Sequence, residues 1–150
     1  KKPVSFEVFA DEFDEMERQA RIISSWGENV YVKIPITNTK GKSSLNLINR
    51  LDDVKLNITA ITIEGQIIDL ITKSFFRNGI VSYFAGRVAD TGDNPLEVVK
   101  RIKEINKYNK GIEILWASPR EVLNIYQAEE AGADIITCTP ELLEKYEKMK

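Results

Sequence analysis

The residue of this sequence best suited to covalent chemistry is Lys33, a lysine inside a short apolar run. Val32 and Ile34 flank it, and burial of a charged ammonium between them would be costly. Desolvation and nearby arginines would favour the neutral amine, which attacks carbonyl carbons to form a Schiff base. The competing interpretation is a lysine at a sheet edge that extends to solvent or pairs with Glu7. The residue types alone leave both interpretations open.

Other side chains near the ends of apolar runs could converge with this lysine. Glu7 is a candidate base that positions water, and its alternative is a buried ion pair with the lysine. Asn57 and Thr59 alternate, so one face of a strand would carry both. Arg87 and Arg120 each follow a run and suit a phosphate, with surface salt bridges as the alternative.

The composition narrows the chemistry further. The 150 residues include no histidine and one cysteine, Cys138, which excludes histidine-dependent triads, the usual zinc sites and an intrachain disulfide. The formal net charge of −2 gives no electrostatic reason to expect nucleic acid or an anionic membrane as a partner, and no apolar run could span a bilayer. Gly41-Lys42-Ser43 lacks the earlier glycine of a phosphate-binding loop, because Ile36 stands there.

Six apolar runs alternate with amphipathic stretches at a spacing of roughly 25 residues, the length of one βα unit. The predicted strands are residues 4–10, 30–34, 56–61, 80–85, 112–117 and 134–138. Helix starts are predicted at Asp11, Ser43 or Ser44, Thr62, Asn94 before Pro95, Pro119 and Pro140. Residues 1–150 therefore form one predicted α/β domain, either an open sheet or most of an eight-stranded barrel.

Several motifs of the chain occur in the order found in transaldolases, and the match extends over essentially the whole sequence. They are Val32-Lys33-Ile34-Pro35 with Thr37 and Gly41, Asn57-Ile58-Thr59, Ser82, Phe84 to Arg87, Ala117-Ser118, and Ala131-Gly132-Ala133-Asp134. The chain most resembles the short branch that includes fructose-6-phosphate aldolases. The resemblance implies a TIM (β/α)8-type barrel with the Schiff-base lysine, here Lys33, on its fourth strand. The chain would then cover about strands three to eight, and the family's first two βα units, with an acid/base Asp and a substrate-binding Asn, have no counterpart in it.

The resemblance also implies a reaction that needs no metal or organic cofactor. Lys33 would transfer a dihydroxyacetone unit between sugar phosphates through an imine, which acts as an electron sink. Glu7 and Thr59 would hold the water that relays protons. The implied substrate-binding residues are Asn57 and Ser118 for the donor hydroxyls, Arg87 and Arg120 for the acceptor phosphate, and Ser82 and Phe84 for the pocket wall.

Two positions separate related activities by this resemblance. Glu7 and Phe84 stand where fructose-6-phosphate aldolases carry Gln and Tyr, which favours transfer between sugars over aldol cleavage. Tyr83 and Pro119 depart from the family pattern beside substrate-contact positions, so the alternative of a non-catalytic sugar-phosphate binder stays open. We also expect a cytoplasmic homo-oligomer that acts in the pentose phosphate pathway.

Overall fold

The six apolar runs form six parallel strands of one sheet. The computed structural model describes residues 1–150. The strands are β1 (Val4–Glu7), β2 (Val30–Pro35), β3 (Leu56–Ile61), β4 (Gly79–Tyr83), β5 (Ile112–Trp116) and β6 (Ile135–Ile136). The helices are α1 (Phe13–Ser24), α2 (Leu45–Arg50), α3 (Glu64–Lys73), α4 (Ala85–Ala89), α5 (Pro95–Asn106), α6 (Leu123–Glu130) and α7 (Pro140–Lys148). None of these helices has the length and apolar content that a membrane-spanning segment needs.

The order of the strands decides between the two predicted architectures. The strands are hydrogen-bonded in chain order from β1 to β6, and every neighbouring pair is parallel. A doubly wound sheet reverses its strand order at a switch point, whereas a barrel adds each strand beside the preceding one. The sheet therefore curls into a half-barrel, which confirms the predicted fold of the (β/α)8 type.

The two faces of the sheet differ in chemistry because successive side chains of a strand point to opposite sides. On β2, Val32 and Ile34 are buried in a core of 29 residues that strands and helices share. Lys33, between them, faces the opposite, concave side. A smaller apolar cluster that includes Ile80 and Leu115 lies on that concave side. The convex face thus stabilises the fold, and the concave face is left for polar side chains.

Two of the predicted helix starts have the expected capping geometry. The Asn94 side chain accepts a hydrogen bond from the backbone N–H of Leu96 at 3.1 Å, and Pro95 is the first residue of α5. Pro140 likewise begins α7, where the Thr139 hydroxyl accepts from a backbone N–H of the first turn. Both predictions are confirmed, because each side chain accepts a backbone N–H of the first turn that has no partner within the helix.

Asp11 does not cap α1, so that prediction is wrong. Its carboxylate accepts hydrogen bonds from the backbone N–H and the hydroxyl of Thr39, both at 2.8 Å. These bonds, first the backbone one, hold the pKa of Asp11 below its ordinary value. Glu12 precedes the helix without a side-chain cap, and the loop after β2 is tied to the loop after β1 instead.

The predicted starts of α3 and α6 are also displaced. Helix α3 begins at Glu64, two residues after Thr62, whose backbone N–H donates to the Gln66 side chain. Helix α6 begins at Leu123, four residues after Pro119, which is therefore not its first residue. The Asn124 side chain accepts two backbone N–H groups of the preceding loop and thereby sets the later start. Before α2, Ser43 accepts from a backbone N–H of the first turn.

Candidate active site

A cavity of about 550 Å³ lies on the concave face of the sheet and brings together most of the residues singled out in the sequence. Its lining is largely polar because these strand residues point away from the helices. The predicted site residues that line it are Lys33, Asn57, Thr59, Ser82, Phe84, Arg87 and Ser118. Another cavity of similar volume, about 590 Å³, lies at the amino ends of the strands, where barrel enzymes do not carry their sites.

Lys33 and Glu7 form an ion pair at the edge of this cavity. They are register partners on β2 and β1, and the Lys33 Nζ lies 3.5 Å from the nearer Glu7 carboxylate oxygen. The Lys33 side chain is 29% exposed and that of Glu7 47% exposed. The pairing that the sequence offered as an alternative is therefore present, but it is partly exposed, and of the two residues only Lys33 lines the cavity. At this distance a bridging water could connect the carboxylate with the amine.

Asn57 is held on both sides of its amide group. The Ser82 hydroxyl donates to Asn57 Oδ1 at 2.7 Å, and Asn57 Nδ2 donates to the Ser5 hydroxyl at 3.2 Å. Asn57 is the register partner of Lys33 on the neighbouring strand and is 3% exposed. Ser5 lies on β1, two strands from β3, so this contact requires a strongly concave sheet. A well-fixed amide therefore stands directly beside the lysine.

Thr59 provides a buried hydroxyl without a hydrogen-bond partner. It lies on the same face of β3 as Asn57 and lines the cavity. The next residue, Ala60, has a φ of 59°, and the register with β4 shifts between Ile58 and Ile61. This bulge keeps Ile61 in the core although Thr59 faces the cavity. A buried hydroxyl left free in this way is suited to hold a water molecule or a ligand oxygen.

Of the two arginines predicted to bind a phosphate, only Arg87 lines the cavity. The Arg87 guanidinium lies over the Phe84 ring, 5.1 Å from the ring centre. Among the ion pairs of the protein none involves Arg87, so its charge has no carboxylate partner. An arginine fixed on an aromatic ring and free of carboxylates is suited to bind an anion.

Arg120 lies elsewhere. Its guanidinium donates to the Asp90 carboxylate at 2.9 Å, both side chains are largely exposed, and it is not among the residues that line the cavity. Its predicted contact with a phosphate would require this ion pair to open.

The Tyr83 side chain points away from the cavity. It is buried in the core with the helices, where burial raises its pKa to about 12. The departure from the family pattern at Tyr83 therefore does not touch the cavity.

Helix α4, which follows β4, packs directly on the backbone of Ser118. A Cβ atom at Gly86 would stand 1.6 Å from the Ser118 carbonyl oxygen, so only glycine fits. Ser118 itself has a φ of 64°, a left-handed conformation that is uncommon outside glycine. This contact holds α4, which follows Phe84 and carries Arg87, against the end of β5. Two walls of the cavity therefore keep a fixed distance.

Comparison with known proteins adds an identification to this geometry. The family model described as transaldolase/fructose-6-phosphate aldolase matches residues 1–150. The chain belongs to this family. The resemblance seen in the strand-end motifs is thereby confirmed for the transaldolase family.

Curated members of the transaldolase family are similar over almost the whole chain. A "Probable transaldolase" of Brucella anthropi is 35% identical over 95% of this chain, and one of Mesorhizobium japonicum is 34% identical over 94%. A "Probable transaldolase 2" of Listeria monocytogenes is 33% identical over 95%. The chain spans only 63% to 64% of the length of these relatives.

The predicted site residues did not include Ser5, which lines the cavity together with other residues that were not predicted, such as Thr137. The alternation of side chains along β1 places Ser5 on the same face as Glu7, which is a usable signal. Its partner Asn57 lies 52 positions later in the chain, however, and only the curvature of the sheet brings the two together.

Proposed function

We propose that the protein is a class I aldolase that transfers a dihydroxyacetone unit from a ketose phosphate to an aldose phosphate through an imine on Lys33. The observation that carries this proposal is the position of Lys33 on the concave face, beside Glu7 and Asn57, in a cavity lined by hydroxyl groups. Membership of the transaldolase family and the names of the curated relatives support the same reaction class.

The covalent steps balance without a redox partner. Lys33 gives up a proton to the water that Glu7 and Thr59 would hold, and the amine adds to the ketose carbonyl. The resulting carbinolamine loses water and becomes a protonated imine. The water held by Glu7 and Thr59 takes the proton of the hydroxyl on the departing carbon as the C–C bond beyond the adjacent carbon breaks. An aldose phosphate leaves with the new carbonyl, and the electron pair of the broken bond forms an enamine on Lys33. The enamine then adds to the carbonyl of the acceptor aldose phosphate, the proton returns to the new hydroxyl, and water hydrolyses the new imine.

Each polar group around the lysine has a role in the proposed reaction. Glu7 and the unpartnered hydroxyl of Thr59 would hold the water that relays protons. Asn57 and Ser118 would bind hydroxyl groups of the dihydroxyacetone unit, and Ser82 and Phe84 would line the pocket. Because the protonated imine accepts the electron pair, these steps require no metal or organic cofactor.

Arg87 is the main residue that we expect to bind the phosphate of the acceptor, ahead of Arg120. The Arg87 guanidinium lines the cavity, lies on the Phe84 ring and has no carboxylate partner. Arg120 would join only by exchanging Asp90 for the phosphate, which is feasible because an exposed ion pair contributes little stability. A phosphorylated acceptor would supply the charge that this exchange needs.

A label-transfer assay on the full-length protein tests the proposal. Fructose 6-phosphate labelled in its first three carbons is incubated with an aldose phosphate of different chain length. We expect the label in a new ketose phosphate, with little free dihydroxyacetone. Labelled dihydroxyacetone alone would favour aldol cleavage of the fructose-6-phosphate aldolase type, and an unchanged substrate would favour a non-catalytic binder.

The variant Arg87→Met tests whether Arg87 binds the phosphate of the acceptor. Methionine keeps an apolar side chain against Phe84 but removes the charge. We expect the KM for a phosphorylated acceptor to rise by about tenfold or more, since a charge-assisted contact contributes about 1.5–3 kcal/mol. The KM for an unphosphorylated aldose should change little, and an equal rise for both would contradict the assignment to phosphate.

A further inference from the structure

The side chain of Ser5 reaches the candidate site from β1, which is not adjacent to β3, the strand of its hydrogen-bond partner Asn57. Its hydroxyl accepts from Asn57 Nδ2 at 3.2 Å, while the Ser82 hydroxyl donates to Asn57 Oδ1 at 2.7 Å. Strands β1, β3 and β4 are thereby joined by a chain of three side chains on the concave face. Ser5 also lines the cavity and is only half-buried, so a ligand can reach it.

Two contacts at opposite ends of an amide fix its plane. Rotation of the Asn57 side chain would break both hydrogen bonds at a site where water has little access, since Asn57 is 3% and Ser82 2% exposed. One N–H of the amide takes no part in these bonds. Because Asn57 and Lys33 are register partners, this fixed amide stands beside the amine that would hold the substrate.

We propose that Ser5 is a positioning residue that orients the Asn57 amide toward a ketose bound at Lys33. The inference rests on the proposed function and extends it to a residue of β1 that needs no direct contact with the reacting atoms. Without the Ser5 hydroxyl, the buried amide loses an acceptor and turns more freely about its last side-chain bond. Donor hydroxyls then meet an amide that is less often in the binding orientation.

Borohydride trapping of the ketose measures this effect directly. The full-length protein is titrated with fructose 6-phosphate, and the reduced adduct on Lys33 is quantified by mass spectrometry. Ser5→Ala is expected to raise the half-saturating ketose concentration by about three- to tenfold, the size of one hydrogen bond. Ser5→Thr keeps the hydroxyl and should stay within about twofold of the wild type. Ser24→Ala, in the last turn of α1, is the matched control.

A double-mutant comparison separates positioning from a general loss of structure. In an Asn57→Ala background, Ser5→Ala should have no further effect on the half-saturating concentration, because its target is gone. The midpoint of urea unfolding is measured for every variant, and if Asn57→Ala unfolds, the contrast between Ser5→Ala and Ser5→Thr decides alone.

Three results would count against the inference. It is overturned if Ser5→Ala traps ketose like the wild type, if Ser5→Thr is as impaired as Ser5→Ala, or if the Ser5→Ala effect persists without Asn57. A wild-type protein that forms no adduct at any ketose concentration overturns the proposed function itself, which is a distinguishable outcome.

Discussion

Replacing Lys33 with methionine is expected to lower the transfer rate by at least about 10³-fold, because no other nucleophile stands in its place. Methionine fills a similar volume between β1 and β3 but cannot form an imine. The folded state should persist, since the lost ion pair with Glu7 is partly exposed and contributes little stability. The label-transfer rate and the urea unfolding midpoint measure the two effects separately.

Two further variants make the Lys33 result specific. Lys33→Arg keeps a cation beside Glu7 and should be as inactive as the methionine variant, because a guanidinium is not a nucleophile under these conditions. Lys42→Met removes an exposed lysine from the loop after β2 and should retain full activity. Substantial transfer by Lys33→Arg would show that the charge, and not the amine, is what the reaction needs.

Gly86→Ala is expected to damage the site through the backbone. The added Cβ would lie 1.6 Å from the carbonyl oxygen of Ser118 and 2.7 Å from its carbonyl carbon, so α4 must move away from the end of β5. Such overpacking costs about 1–3 kcal/mol of unfolding free energy. Because Phe84, Arg87 and Ser118 move apart, we also expect transfer to fall by more than the stability loss explains.

Gly65→Ala is the matched control for Gly86→Ala. Gly65 lies in the first turn of α3, has no positive φ, and a Cβ there meets no atom within 4 Å. The change should be neutral or stabilising by up to about 1 kcal/mol, with unchanged transfer. If Gly86→Ala were as stable and active as Gly65→Ala, the packing of α4 on Ser118 would not be what shapes the cavity.

The sequence predicts the strands and the face that carries the candidate site because both depend on local alternation of apolar and polar residues. Lys33 and Asn57 each lie between two core residues, so the period of two already places them opposite the helices, and Thr59 continues the same face of β3 up to the bulge at Ala60. The starts of α5 and α7 are predictable for a similar reason, since Asn94 and Thr139 act on residues two or three positions away. Structure that depends on residues close in sequence, such as strand faces and helix caps, can therefore be predicted from the sequence.

The errors arise where a distant partner competes for a side chain. Asp11 has the residue type of a helix cap, but Thr39 of another loop takes its carboxylate. The phosphate contact of Arg120 stays a prediction, but it meets the same competition, because Asp90, thirty positions earlier, holds its guanidinium. Nothing local distinguishes these residues from ones that meet no such competition. Their partners become known only when the strand order and the curvature of the sheet are known.

The most direct test of the account is the identity of the trapped lysine. The full-length protein is incubated with fructose 6-phosphate, reduced with borohydride, digested and mapped by mass spectrometry, with Lys33→Met treated in parallel. We expect one sugar phosphate-derived adduct, on Lys33, and none in the variant. An adduct on another lysine while Lys33 stays unmodified, or no adduct in the wild type, would contradict the central claim that Lys33 carries the substrate as an imine.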